Sequence, residues 1–136
     1  MKQLLFILPV WACLPALAQN SDSSRYYYET GLKEQSAKRY MVAAQAFDKS
    51  IKFNPANEEA LLANAFVNLE MKKLDAAKNY FTRVYELNPK NLKAINQLME
   101  LTYSYRQFAK ATELAQQCKE CENSLRIIGM SAYQQE

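Results

Sequence analysis

The sequence predicts an all-α protein in which short antiparallel helix pairs stack side by side. Residues 40–55 (YMVAAQAFDKSIKFNP) and 74–89 (LDAAKNYFTRVYELNP) carry the same kinds of residue at the same places, such as Ala43 and Ala77 or Phe47 and Phe81, and both end in Asn-Pro. Residues 108–123 form a third, weaker copy. Within each copy, apolar residues recur at steps of three and four, which gives one apolar stripe per helix. Since a short helix pair cannot bury such stripes alone, the repeat predicts a stack of pairs.

The N-terminal segment, residues 1–18, has the pattern of a secretory signal peptide. Lys2 supplies a positive start, an apolar stretch with two prolines follows, and Ala16-Leu17-Ala18 is a small-x-small cleavage site. The stretch is too short to make a good membrane-spanning helix. We therefore expect cleavage after Ala18 and a periplasmic or secreted protein. Two alternatives remain open, a lipoprotein signal with lipid on Cys13 and a structural N-terminal helix.

The remaining chain divides into predicted elements in order. Residues 19–24 (QNSDSS) are polar and are expected to form a disordered leader. Proline ends the second helix of the first two pairs, because the residue before proline is disfavoured in the α region. Asn57 and Asn91 are expected to cap the helices that follow. The predicted helices are residues 25–37 and 40–53, then 58–71 and 75–87, then 92–105 and 108–119, with an extra helix over 123–135.

The extra helix has two interpretations. The third unit lacks the expected proline, and Leu125-x-x-Ile128-Gly129 parallels Tyr27-x-x-Thr30-Gly31. The helix is either a cap on the last pair or the start of a fourth unit lost by truncation. We predict a cap, because an uncovered last helix would expose apolar surface.

The repeat resembles the tetratricopeptide repeat, whose unit carries a large apolar residue, a Leu-Gly-like pair, an alanine, an aromatic residue, a small residue and a proline. The third unit departs from this pattern, with Ala115 at the aromatic position. The resemblance implies a right-handed superhelix of three antiparallel pairs within a domain over residues 25–136, with units of about 25–57, 58–91 and 92–122 and a C-terminal capping helix. The matching residues are Tyr27, Thr30-Gly31, Ala43, Phe47, Ser50 and Pro55 in the first unit, and Leu61, Asn64-Ala65, Ala77, Phe81, Val84 and Pro89 in the second.

The resemblance also implies where a partner would bind. In this family the first helix of each pair lines a concave groove that commonly holds a peptide or a helix of another protein. One subfamily grips a C-terminal carboxylate there, but of its characteristic positions only Lys93 fits, so we do not predict such a clamp. The groove positions carried over to this chain are Tyr28, Leu32, Leu62, Phe66, Leu69, Lys93, Asn96, Glu100 and Tyr103.

The predicted function is therefore a non-catalytic scaffold or adaptor for a protein partner. The sequence contains no His, and it lacks a Gly-rich phosphate loop and a nucleophile motif, so neither an enzyme nor a cofactor site is expected. The net charge of +3 is mixed along the chain, which does not indicate nucleic-acid binding. The alternative is a structural part, or a truncated N-terminal region, of a larger cell-envelope protein or complex. Self-association also remains open.

Cys118 and Cys121 form the one motif with possible chemistry. In an exported protein such a pair can form a structural disulfide. Free thiols, metal ligands and a redox site are the alternatives. The pair follows a predicted helix end and lies beside Glu120 and Glu122, which would raise the pKa of a thiol and disfavour redox activity. A metal site is disfavoured because the chain has no His and no second cysteine pair.

Basic residues recur at the predicted turn inside each pair, as Lys38-Arg39, Lys72-Lys73 and Arg106. Cations are generally favourable at helix C-termini, which is one explanation. The other is a basic ridge that docks on an acidic partner or on anionic lipid headgroups.

Overall fold

The computed structural model describes residues 14–134, and this part of the chain is all-α. Most of the predicted signal peptide, with Cys13, lies outside the described residues. No helix in the described part is long and apolar enough to span a bilayer. The helices are α1 (Leu14–Ser36), α2 (Tyr40–Phe53), α3 (Glu58–Glu70), α4 (Leu74–Leu87), α5 (Leu92–Ser104), α6 (Phe108–Gln117) and α7 (Ser124–Tyr133).

The helices form three antiparallel pairs in a right-handed superhelix, as predicted. Each helix packs chiefly against its neighbours in sequence, and α7 packs against α6 and α5. Phe47 and Phe81 are fully buried at the aromatic position of the first two units, and Ala115 is fully buried at that position of the third. Ile127 of α7 is also fully buried, so α7 covers the last pair.

The predicted caps hold the start of α3 and of α5. The side-chain oxygens of Asn57 and Asn91 accept hydrogen bonds from the backbone N–H groups of Ala60 and Ala94, at 3.0 and 2.9 Å. Each cap thereby satisfies an N–H group that has no partner within its own helix.

The turns inside the pairs share one backbone geometry. Lys38, Lys72 and Arg106 have φ values of 58°, 59° and 58°. The backbone N–H of the next residue bonds back across the helix end each time, for example from Arg39 to the carbonyl of Glu34 at 2.9 Å. This is the Schellman arrangement, in which glycine is the usual left-handed residue because a Cβ atom is strained there.

The prediction of a disordered leader over residues 19–24 is wrong, because α1 begins at Leu14 and includes them. Ser24 is buried, and its hydroxyl donates to the carbonyl of Ser50 at 3.0 Å. The hydroxyl of Ser50 in turn donates to the carbonyl of Ser24 at 2.7 Å, and the amide of Asn57 donates to the Ser24 hydroxyl at 3.1 Å. The polar residues that suggested disorder therefore include one, Ser24, that forms hydrogen bonds between helices.

A polar network ties the first unit to the second. The amide of the buried Asn64 donates to a carboxylate oxygen of Asp48 at 2.7 Å, and the hydroxyl of Tyr80 donates to the same oxygen at 2.5 Å. Burial, reinforced by this carboxylate, raises the pKa of Tyr80 to about 12. The hydroxyl therefore remains a donor at neutral pH, and the network joins α2, α3 and α4.

Candidate functional site

An open cavity of about 790 Å³ runs along the first helices of the pairs. It extends from α1 across α3 to the start of α5. Its lining consists of Tyr28, Gln35, Glu58, Glu59, Leu62, Ala63, Phe66, Asn91, Leu92 and Lys93.

Five of the predicted groove residues lie on this surface. Tyr28, Leu62, Phe66 and Lys93 line the main cavity. Leu32 lines an adjoining cavity of about 490 Å³, which shares Tyr28 with the first. The N-terminal half of the superhelix therefore presents a continuous concave surface.

The other predicted groove residues lie outside the lining of these cavities. Leu69 and Tyr103 pack against the core, and the Tyr103 ring contacts Phe108 at a centroid distance of 5.4 Å. The carboxylate of Glu100 pairs with the guanidinium of Arg126 in α7. Asn96 is partly buried, and its side-chain oxygen accepts no hydrogen bond from residues 20–134.

The apolar floor of the cavity is also the outer layer of the core. Leu62 and Phe66 are half-buried and pack against the core cluster. The Phe66 ring meets Phe81 edge-on at 5.2 Å, and the Tyr28 ring lies 5.9 Å from that of Phe47. The buried half of each side chain holds the exposed half in place. The floor is therefore preorganised, which lowers the entropic cost of binding.

Two carboxylates, those of Glu58 and Glu59, line the cavity. Glu59 is exposed, and its charge adds to burial in raising the pKa of Tyr28. Glu58 accepts hydrogen bonds from the side-chain amides of Asn88 and Asn91, at 3.0 and 2.6 Å. Lys93 is the cationic residue of the lining. The cavity thus combines an apolar floor with an acidic wall.

Sequence reasoning did not place Glu58, Asn91 or Leu92 on this surface. Glu58 and Leu92 each occupy the first helical position after an asparagine cap, in successive units of the repeat. The repeat thus contained a signal for these two, because the start of each first helix faces the same side of the stack.

Cys118 and Cys121 lie at the base of the third unit, where their sulfur atoms are bonded at 2.10 Å. Both residues are buried, and the sulfur of Cys121 lies 3.8 Å from the carbonyl oxygen of Leu92. Within the described residues, no group of three or more His, Cys, Asp or Glu side chains has the geometry of a metal site.

No protein-family model and no curated protein sequence matches the chain. Solved structures do match. The first TPR domain of Spaghetti (RPAP3), bound to the HSP90 peptide SRMEEVD, has a TM-score of 0.70 at 17% identity, over 83% of this chain and 93% of that one. The Arabidopsis OM64 TPR domain has a TM-score of 0.66 at 20% identity, over 85% and 95%. PilF of Pseudomonas aeruginosa has a TM-score of 0.67 at 24% identity, over 82% and 53%.

Proposed function

We propose that this chain, which has the tetratricopeptide-repeat fold, is a non-catalytic interaction scaffold that binds a peptide or helix of a partner protein in its concave groove. The observation that carries the proposal is the 790 Å³ cavity with the half-exposed Leu62 and Phe66 on its floor. A domain of similar fold binds the HSP90 peptide SRMEEVD, which supports a peptide as the class of ligand.

The charge of the cavity favours an apolar segment over an acidic tail. Glu58 and Glu59 would repel a carboxylate-rich peptide, and the cavity has Lys93 as its cationic residue. Like charges brought together at an interface disfavour binding. We therefore expect the chain to bind SRMEEVD weakly or not at all.

The test is cross-linking in the native cell, followed by identification of the recovered partners. Phe66→Arg replaces apolar floor with a charge and should abolish recovery of a groove-bound partner. Because Phe66 also packs on Phe81, Glu59→Lys supplies a second variant at an exposed position that leaves this packing intact. Gln116→Arg, on the exposed outer surface, is the matched control and should retain the partners. Unchanged partners in both groove variants would contradict the proposal.

The alternative is a structural part of a larger cell-envelope assembly. It is favoured by apolar side chains on the outer side of α7, where Leu125 is 82% and Tyr133 is 76% exposed. A monomer in analytical ultracentrifugation supports a free binding module. A dimer that Leu125→Ser dissociates would support the structural alternative instead.

We also propose that the protein is exported and processed after Ala18. The support is the pattern of residues 1–18, with a basic start, an apolar stretch and a small-x-small cleavage site. Mass spectrometry of the protein from the expressing cell should find an N-terminal peptide that begins at Gln19. Ala16→Arg should block processing, whereas Ser21→Arg, beyond the cleavage site, should not. A lipid-modified chain that begins at Cys13 would contradict cleavage after Ala18.

A further inference from the structure

The turns inside the three pairs meet along one edge of the superhelix, which we call the turn edge (residues 38–42, 72–75 and 105–107). One surface cavity brings Met41 of the first unit together with Met71 and Lys73 of the second. Another brings Lys72 and Leu74 together with Tyr105 of the third unit. The edge is therefore a continuous surface across all three units.

This edge is predominantly basic. Its exposed cationic residues are Lys38, Arg39, Lys72, Lys73 and Arg106. Of the carboxylates on or beside it, Glu34 pairs with Arg39, Asp75 accepts a hydrogen bond from the hydroxyl of Tyr105, and Glu70 is exposed. Asp48, which lines the first of these cavities, accepts hydrogen bonds from Asn64 and Tyr80. Within residues 20–134, no ion pair is formed by Lys38, Lys72, Lys73 or Arg106.

The backbone does not favour basic residues at these positions. Lys38, Lys72 and Arg106 occupy the left-handed position of each turn, where glycine avoids the strain of a Cβ atom. A favourable contact with the helix C-terminus does not require that position, because any residue in the last turn can supply it. Strained residues that recur at equivalent sites indicate a use for the side chain itself.

Apolar side chains follow the basic residues on the same edge. Met41 is 64%, Val42 is 47% and Leu74 is 41% exposed, and Tyr105 is 39% exposed at the third turn. Exposed apolar and aromatic groups interleaved with Lys and Arg are typical of surfaces that lie in the headgroup region of an anionic bilayer. Binding to an acidic protein would use the charges but would not account for the exposed Met41 and Leu74 beside them.

We propose that the turn edge docks on the surface of an anionic membrane. The basic side chains contact lipid phosphates, and Met41, Val42 and Leu74 enter the headgroup layer. No residue that lines the 790 Å³ cavity belongs to the turn edge, so a docked molecule keeps its groove accessible. The proposal does not depend on what the groove binds.

The test is flotation of the purified protein with vesicles of phosphatidylcholine alone or mixed with phosphatidylglycerol. Binding should require phosphatidylglycerol and weaken as salt is raised. The triple variant Lys38→Gly, Lys72→Gly, Arg106→Gly should lose about 100-fold in partitioning, at roughly fivefold per basic side chain. Because glycine relieves the strain, the variant should keep or raise its melting temperature, which separates lost binding from lost folding.

The matched control removes the same charge from the opposite edge, through Lys52→Gln, Lys90→Gln and Lys119→Gln, all at exposed positions. It should bind vesicles nearly as well as the original chain. An equal loss in the control would overturn the proposal in favour of a net-charge effect. The contrary result is that the original chain fails to bind vesicles and instead recovers an acidic protein that the control also recovers and the glycine variant does not. That result would overturn the proposal in favour of a protein partner.

Discussion

Gly31 illustrates how a single residue serves the packing of the first pair. A Cβ atom at this position would lie 2.4 Å from Cε1 of Phe47. Phe47 is fully buried, so its ring has little room to move. Thr30-Gly31, the Leu-Gly-like dipeptide of the first unit, therefore contains glycine because the two helices approach closely here. The backbone of Gly31 does not have a positive φ.

Gly31→Ala should lower the free energy of unfolding by about 1–3 kcal/mol, because the added methyl overpacks against Phe47. The matched change is Gly129→Ala in α7, where no atom lies within 4 Å of the place that the methyl would take and alanine should stabilise the helix by about 0.5–1 kcal/mol. Urea denaturation of both variants measures the difference. Effects of the same sign would contradict this account of Gly31.

At the scale of elements, each helix pair is held together at the end opposite its internal turn, and the interactions there differ between the pairs. In the first pair, Ser24 and Ser50 exchange hydrogen bonds. In the second, the carboxylate of Glu58 accepts from the amides of Asn88 and Asn91. The third pair has no Asn-Pro turn after α6, and the disulfide at Cys118 and Cys121 occupies the equivalent place beside α5. The covalent bond thus substitutes for missing polar contacts.

Replacing Cys118 and Cys121 by serine should lower the free energy of unfolding by about 2 kcal/mol, the loop-closure entropy of so short a ring. Because each unit of such a stack contacts only its neighbours, the loss should be local. Hydrogen exchange should become faster in α6 and α7 and stay unchanged in α1 and α2. Addition of reductant to the original chain should reproduce the effect, and the serine variant should not respond to reductant. Uniformly faster exchange along the chain would contradict a local loss, and with it the role of the disulfide as a replacement for polar contacts in the third pair.

At the scale of the whole molecule, the superhelix separates two surfaces. The first helices of the pairs form the groove, with Leu62 and Phe66 on its floor, and the turns within the pairs form the basic edge around Lys72. Both follow from stacking the equivalent residues of successive repeats. Because the two surfaces share no residue, the proposed binding of a partner in the groove is compatible with the proposed docking of the edge on a membrane.

The sequence by itself determined the helix pairs, their order and most of their ends. These features depend on short-range chemistry, such as the caps at Asn57 and Asn91 and the prolines at positions 55 and 89, which act within a few residues. The fully buried Phe47 and Phe81 were predictable for a related reason, because the apolar stripe and the repeat select the same positions.

Only the tertiary structure decided that residues 19–24 belong to α1 and which groove positions line the cavity. Ser24 is held in α1 by Ser50 and Asn57, which are distant from it in sequence. Glu100 was predicted to line the groove, but its carboxylate pairs with Arg126 of α7 instead. The physical reason is the same in both cases. The surroundings of a polar side chain are set only when distant helices pack against it. A side chain that becomes buried must then form hydrogen bonds within the fold, whereas one that stays exposed is available to a partner.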